Sequence, residues 1–474
     1  MKNLYSDTIV APATTPGTGA ISIVRVSGPQ AFPIADAVVQ LKSGNITQCD
    51  GYTIHFGEVF QEGKMLDQVL VSVFRAPHSY TGEDSVEIST HASAYIVTEL
   101  IHLLTQAGAR FAEPGEFTRR AFLNGKMDLA QAEAIADVIS SSTAAAHRVA
   151  MNQLRGCFSD ELMSLRSQLL EMASLLELEL DFSEEDVEFA DRKKLQDLVS
   201  GTLRHVETLA GTFHDGNLIK NGVPVAIVGA TNAGKSTLLN ALLGEERAIV
   251  SPIAGTTRDT IEETLTLGGI QFRFIDTAGI READDSIEKM GIQRTFQKIE
   301  SAEIILAVLD GASEESDLLN NLKAIVEKVN LRSQKLFILL NKADKIEQNG
   351  VNKNVTLINT FVSSNNIEPV IIPISAKTHS GLKELKEALL SAEQDLIPNA
   401  DSTFITNERH FQALTQSASA LRDVLTAMNS GLPSDLIAED LRRALTAINS
   451  ILGKDLLSPD DILHNIFKNH CIGK

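Results

Sequence analysis

The sequence predicts a multidomain chain: an α+β domain at the N-terminus, a helical bundle domain, and an α/β domain inserted into the helical one. Three observations predict it. A glycine-rich phosphate-binding pattern stands at 229–236, among short apolar runs separated by polar helical stretches. Long stretches with apolar residues three and four apart lie on both sides of that region. Ahead of them, residues 1–120 carry short β-branched runs broken by turn signals.

Composition sets the outer bounds. With 474 residues, 43% hydrophobic and 22% charged, fibrous, collagenous and fully disordered classes are excluded. At roughly 100–200 residues per domain, two to four domains follow. Trp is absent and aromatics are 5%, so the cores are expected to be aliphatic. The 42 basic and 62 acidic residues give a net charge of −20. That excludes a surface coated in positive charge for non-specific nucleic-acid binding, though not a local patch. Arg119-Arg120 and Arg442-Arg443 are the candidate patches. Cys49, Cys157 and Cys471 are far apart, with neither metal-ligand spacing nor a disulfide framework. A reducing, cytoplasmic location is expected. The start lacks the basic and apolar regions of a signal peptide. No apolar run reaches about 18 residues, so no membrane span is expected.

The elements follow in order. In 1–120, the run 20–26 (AISIVRV) sits behind the turn signal Pro16-Gly17-Thr18-Gly19, and 69–74 and 85–89 also read as strands. Residues 94–105 read as a helix. From 121 to 218 Gly and Pro thin out. Leu154, Phe158, Leu162, Leu165, Leu169, Met172 and Leu176 step by four or three along one helical face. Leu195, Leu198, Leu203 and Leu209 suggest a second such face. From 219 to 395 apolar runs at 225–228, 272–275, 304–309, 336–340 and 370–374 alternate with helical stretches, the pattern of a parallel-rich sheet covered on both faces. From 396 to 474 helical spacing returns at Leu414, Ala418, Leu421 and Leu425, then at Leu441, Leu445 and Ile448.

The chemistry is densest in the inserted domain. Gly229-Ala230-Thr231-Asn232-Ala233-Gly234-Lys235-Ser236 follows a strand and opens a helix. In that context glycines let backbone N–H groups wrap phosphates, the lysine reaches the β/γ-phosphates, and the serine ligates magnesium. Asp276-Thr277-Ala278-Gly279 ends another strand, where an Asp reaches the magnesium shell. Asn341-Lys342-Ala343-Asp344 places a carboxylate to accept two hydrogen bonds from a guanine edge. Ser375-Ala376-Lys377 resembles a loop that contacts guanine O6. Four such motifs in this order resemble a Ras-like P-loop GTPase domain, which makes GTP the expected nucleotide. Gly255-Thr256-Thr257 resembles its first switch. The residue after DTAG is Ile280, where Ras-like domains place a water-orienting Gln, so hydrolysis needs another device.

Over nearly its whole length the chain resembles the MnmE (TrmE) family of tRNA-modification GTPases. The resemblance rests on Asp7-Thr8-Ile9-Val10-Ala11, on Tyr80 to Asp84 (YTGED), on Pro114-Gly115-Glu116-Phe117 through Phe122 to Glu133, and on the final Cys471-Ile472-Gly473-Lys474. It implies a homodimer whose N-terminal domain binds a tetrahydrofolate one-carbon derivative, 5-formyl or 5,10-methylene. It implies an FAD-dependent partner of the MnmG (GidA) type, in a heterotetramer or larger complex. The implied product is a carboxymethylaminomethyl or aminomethyl group on the wobble uridine of certain tRNAs, with GTP hydrolysis activated by potassium.

By position, the resemblance implies that Asn232, Ser251, Ile253 and Thr256 surround potassium, that Ser236 and Thr257 hold magnesium, and that Glu288 orients water. The GTP site would further include Ala233, Gly234, Lys235, Thr237, Pro252, Ala254, Gly255 and the motifs already given. Folate would meet Arg25, Glu87, Lys126 and Lys474, with Cys471 as the candidate one-carbon site. On the residues alone Glu288 reads as a surface helix acid, and Arg25 and Glu87 as ordinary strand residues. Thr231 and Ala92-Ser93 depart from the family, which usually has Pro and Gly-Gly there. Two rivals stand beside this reading: a GTP switch without modification chemistry, such as a ribosome-assembly factor, and a stand-alone folate-dependent aminomethyltransferase.

Overall fold

The computed structural model describes residues 7–181, 192–244, 263–275, 300, 302–330, 333–365, 367–394, 403–454 and 473. The chain divides into two compact units. One comprises Met1–Ser140, Ala150–Glu207 and Gln412–Lys474; the other comprises Ser141–Val149 and Thr208–Phe411.

The first unit opens with a mixed seven-stranded sheet. Its strands are β1 (Ile9–Pro12), β2 (Gly19–Ser27), β3 (Val39–Leu41), β4 (Thr53–Gln61), β5 (Lys64–Phe74), β6 (Ser85–Ala92) and β7 (Arg110–Phe111). Their order is β3-β4-β5-β6-β2-β1-β7. Helices α1 (Ala31–Val38) and α2 (Ala94–Gln106) bury one face, where Val24, Val26, Val69, Val71, Val73, Val86 and Ile88 form the core. Strand alternation puts the next residues on the other face. There Ile21, Ile54 and Leu70 are exposed, and Arg25 stands directly across from Glu87.

The helical part of this unit comprises α3 (Glu116–Leu123), α4 (Leu129–Ser140), the C-terminal part of α5 (Ala144–Leu154), α6 (Cys157–Asp181), most of α7 (Arg192–Gly211), and two further helices, most of Glu408–Asn429 and all of Ser434–Leu452. Phe158, Leu162, Leu165, Leu169, Met172 and Leu176 are all buried, as their spacing predicts. Leu154 belongs to the preceding helix, because Gly156 takes φ +94° and breaks the run there. Along α7 the predicted face is corrected. Leu198 is exposed, and the buried residues are Leu195, Val199, Thr202, Val206 and Leu209. Counting only leucines hid the true 3.6-residue stripe, which uses Val and a Thr.

The second unit holds a six-stranded sheet: β8 (Val223–Val228), β9 (Glu263–Leu267), β10 (Ile270–Phe274), β11 (Ile304–Asp310), β12 (Lys335–Asn341) and β13 (Val370–Pro373). The order is β13-β12-β11-β8-β10-β9, parallel throughout except for the β9 edge. Helices α8 (Phe213–Asn221), α9 (Lys235–Gly244), α10 (Glu315–Val326), α11 (Gln348–Ser364) and α12 (Leu382–Gln394) accompany it; in chain order the two helices of the first unit given above are then α13 and α14. Alternate residues of β11 go to opposite cores. Ile304, Leu306 and Val308 pack with α9 and α12, while Ile305, Ala307 and Leu309 pack with α10 and α11. Burial on both faces is why these strands read as unbroken apolar runs.

Candidate functional site

The glycine-rich loop joins β8 to α9. A side chain at Gly229 (φ +155°) would sit 2.2 Å from Val308 O, and one at Gly234 (φ +99°) would sit 2.2 Å from the Asn341 amide nitrogen. Only glycine fits either place, so the bare backbone forms the loop wall. Asn232 is exposed and takes φ +61°, a left-handed conformation that Asn tolerates better than most residues. Lys235, the first residue of α9, folds back over the loop and donates to Gly229 O at 2.9 Å and Ala230 O at 2.8 Å. Ala233 is buried, while Ser236 and Thr237 are exposed on the first turn of α9. Backbone N–H groups, a helix N-terminus, an ammonium and an exposed hydroxyl make a donor set suited to a magnesium-bound phosphate chain.

The base-reading end is assembled by Asn341, which is 2% exposed at the end of β12. Its amide donates to Ala233 O at 2.7 Å, and its carbonyl oxygen accepts from Ala376 N–H at 3.0 Å. One side chain therefore fixes the phosphate loop to the Ser375-Ala376-Lys377 loop. Asp344 is exposed and accepts from the Ser375 hydroxyl at 2.7 Å. That bond, foremost among its causes, holds the carboxyl below its usual range, helped by Lys345 and Lys377. An ionised, exposed carboxylate is the acceptor pair that a guanine edge requires. Lys342 takes φ +64° and forms an ion pair with Asp310 at 2.6 Å. Asp310 was not among the sequence candidates. It ends β11 directly beside Asn341 at the end of β12, a pairing that strand register sets.

In the N-terminal part, Arg25 on β2 reaches Glu87 on β6. Both its Nε and Nη2 lie 2.9 Å from Glu87 Oε1. The guanidinium is 5.0 Å from the Tyr80 ring centre and 5.5 Å from that of Phe117. Tyr80 donates to or accepts from the Thr118 hydroxyl at 2.8 Å, and burial pushes its phenol up. Lys126 is exposed, with its ammonium on Pro77 O at 3.0 Å and its stem against Gly82. Loop 75–84 thus carries both the Tyr80 wall and the Lys126 anchor. An acceptor carboxylate, an aromatic ring and nearby cations suit a flat heterocycle with an anionic tail.

Beneath that loop lies a buried ionic cluster. Arg120, wholly buried, meets Asp7 at 2.8 Å, Glu116 at 3.0 Å and Glu83 at 3.3 Å. Arg110 adds bonds to Asp7 and Glu116. Burial pushes Glu83 up despite Arg120. For Asp7 and Glu116 burial also works upward, but the arginines outweigh it and both carboxyls fall below their usual range.

The profile of the GTP-binding protein TrmE N-terminus matches residues 8–126, and that of the MnmE helical domain matches residues 129–471. The tRNA modification GTPase MnmE of Cytophaga hutchinsonii is 50% identical over 471 residues, covering 99% of this chain and 98% of that one. Those of Flavobacterium johnsoniae and Bacteroides thetaiotaomicron are each 48% identical over 475 residues, covering 99% of this chain and all of theirs. The chain belongs to the MnmE (TrmE) family. It is a GTP hydrolase that acts in tRNA modification.

Within this MnmE-family chain one expectation about tRNA is overturned. Arg119-Arg120 is no phosphate-binding patch: Arg120 is buried among three carboxylates, and Arg119 pairs with Glu113. Arg442 and Arg443 are exposed, yet they pair with Glu439, Asp440 and Asp423, which cancels much of their field. The proposed ligands Ser251, Pro252, Ile253, Ala254, Gly255, Thr256, Thr257, Asp276, Thr277, Ala278, Gly279, Glu288, Cys471 and Lys474 lie outside the described residues. Among the described residues no helix is long and apolar enough to cross a membrane.

Proposed function

We propose that this chain is a potassium-activated GTPase. With an FAD-dependent partner of the MnmG type, it takes part in folate-dependent addition of a carboxymethylaminomethyl or aminomethyl group to the wobble uridine of certain tRNAs. The observation that carries the nucleotide half is Asn341 tying the phosphate loop to the base loop, with Asp344 exposed beside Ser375. GTP would lie along Asn232 to Thr237, reach Asn341, Lys342 and Asp344, and end on Ser375 to Lys377. Ser236 and Thr257 would hold magnesium.

Potassium is supported by two features. Asn232 is exposed on the phosphate loop, and Ile280 cannot orient water as a Gln does. A cation held by Asn232, Ser251, Ile253 and Thr256 would supply positive charge at the phosphates, and Glu288 would orient the attacking water. The folate half rests on Glu87, Arg25, Lys126 and Lys474, with Cys471 as the candidate one-carbon site. A homodimer is supported by the exposed apolar side chains of Ile21, Ile54, Phe56 and Leu70 on the N-terminal sheet, since apolar surface of that kind favours association.

Steady-state GTP hydrolysis in KCl and in NaCl at equal ionic strength tests the reading. A rate gain of at least tenfold in KCl, lost in Asn232→Ala, is the expected result. Equal rates in the two salts would remove potassium from the mechanism and leave the family activity to an outside activator.

A further inference from the structure

Residues 141–149 lie outside 219–395, the stretch that carries the nucleotide motifs, yet they fold into the second unit. Thr143 starts α5: its hydroxyl accepts from Ala146 N–H at 3.1 Å, and its carbonyl accepts from His147 N–H at 2.9 Å. Ala146 and Val149 are buried against Ile219 of α8 and against Phe404. Helix α8 is itself closely seated. A Cβ on Gly216 would lie 2.2 Å from Ile405 O, and the Thr212 hydroxyl accepts from Ile405 N–H at 3.0 Å. Just ahead of α5, the Ser142 hydroxyl donates to the side-chain carbonyl of Gln271, the second residue of β10, at 2.7 Å. A second observation fixes the same residue. At Gly222, which ends α8 with φ +82°, a Cβ would lie 2.8 Å from Gln271 O. Gln271 is therefore held by its side chain and by its backbone against one packed group.

We propose that Ser142 is a positioning residue for GTP hydrolysis, acting through Gln271 on strand β10. The next residues after β10 are Ile275 and then Asp276, the first of the Asp276-Thr277-Ala278-Gly279 motif. Strands β9 and β10 form a hairpin around Gly268-Gly269, with β9 at the edge of the sheet. Three residue pairs between β10 and β8 join this hairpin to the other strands, whereas β11 and β12 share seven. A hairpin so lightly tied gains most from an outside hold at its start. Phe272 and Phe274 are buried in the core, and a one-residue slip would turn both to the other face. The strand therefore moves as one piece. From Gln271 to Ile275 it spans roughly 13 Å, at about 3.3 Å per residue, so a displacement at Gln271 is delivered to the residue that leads into Asp276. The magnesium role of Asp276 belongs to the GTP-site reading above, on which this proposal rests; the hold on Gln271 does not depend on it.

Steady-state GTP hydrolysis, fluorescent-GDP affinity and melting temperature test this on the full-length chain. The variants are Ser142→Ala, Ser142→Thr, Gln271→Leu and the double variant Ser142→Ala with Gln271→Leu. Ser142 is exposed, so its variants are expected to melt with the wild type. Ser142→Ala and Gln271→Leu are each expected to lower kcat about three- to tenfold, or about 0.6–1.4 kcal/mol at 1.36 kcal/mol per tenfold. GDP affinity is expected to stay within about twofold, a split that general loosening of the unit would not produce. The double variant is expected to be no slower than the slower single one, because both changes remove the same bond. Ser142→Thr keeps the hydroxyl and is expected to recover kcat. An unchanged kcat in both single variants overturns the proposal. So does a kcat loss matched by equal losses of GDP affinity and melting temperature, which makes the bond merely structural, and so do losses that multiply in the double variant. Asp276→Asn is a separate arm: a large loss of kcat supports the magnesium reading of Asp276, and a wild-type rate counts against that reading while the Ser142 and Gln271 variants are still judged on their own kcat.

Discussion

Asn341 and Arg120 are both buried hubs, and each ties together segments distant in sequence. Asn341 joins the phosphate loop to the Ser375 loop with two neutral hydrogen bonds. Arg120 joins the start of β1, loop 75–84 and α3 with charge, and needs Asp7, Glu83 and Glu116 around it. A neutral amide costs little to bury once both its ends are satisfied. A guanidinium costs several kcal/mol to desolvate, and only close carboxylates repay that. The nucleotide loops must keep their positive field for phosphates, so a neutral hub suits them. Loop 75–84 has only to stay fixed behind Tyr80, and an ionic hub serves.

The contrast can be broken first at Arg120. Arg120→Met is expected to cost about 3–5 kcal/mol of stability, because it leaves three carboxylates without their buried cation. Chemical denaturation measures it, and a loss below about 1 kcal/mol would end the distinction between the hubs. Asn341→Ala comes next. It leaves Ala233 O and Ala376 N–H unpaired, at about 1–3 kcal/mol. That loss should appear as roughly 10- to 100-fold weaker GTP binding, at 1.4 kcal/mol per tenfold, in a fluorescent-nucleotide titration.

Acid titration sharpens the ionic side. Asp7 and Glu116 are held below their ordinary range, so their stabilisation is complete above the ordinary carboxylate pKa and is lost as pH falls through the lowered values. Glu83 is raised, so its contribution has the opposite sign: present at low pH, lost as pH rises through the raised value. Melting temperatures from acid to neutral pH should therefore fall at the acid end in wild type. Glu116→Gln should flatten that fall and lose most at neutral pH, while Glu83→Gln should lose less there. Identical pH profiles for the two variants would contradict these signs. The smallest effect is expected at Asp310→Ala, which frees Lys342 from a partly exposed ion pair. Such pairs contribute about 0.2–1 kcal/mol, so GTP affinity should drop only a few-fold with the hydrolysis rate at saturation unchanged.

What could be read in advance divides along the same line. Five of the six strands of the second unit were legible, because burial on both faces leaves an unbroken apolar run, as in β8 and β11; the half-exposed edge strand β9 carries no such run and was missed. The phosphate loop was legible because its parts are contiguous: strand, glycines, lysine and helix within a dozen residues. Arg120 was misjudged because two adjacent arginines look like a basic surface patch. Its partners sit 113, 37 and 4 residues away, and no local pattern reports them. The stripe on α7 was misdrawn because leucine alone was counted, where Val199, Thr202 and Val206 complete it.

The order of the structural classes, the chemistry of the nucleotide loops and the family follow from the amino-acid order alone. Those depend on local spacing and on contiguous motifs, which the chain carries wherever it folds. The folded chain alone shows that Arg25 donates to Glu87 and Gly473, that Asp310 holds Lys342, and that Arg120 is interior. Each of these rests on a pairing between strand ends or distant loops. Such pairings are set by register and packing, through desolvation costs that exist only once the chain has closed around them.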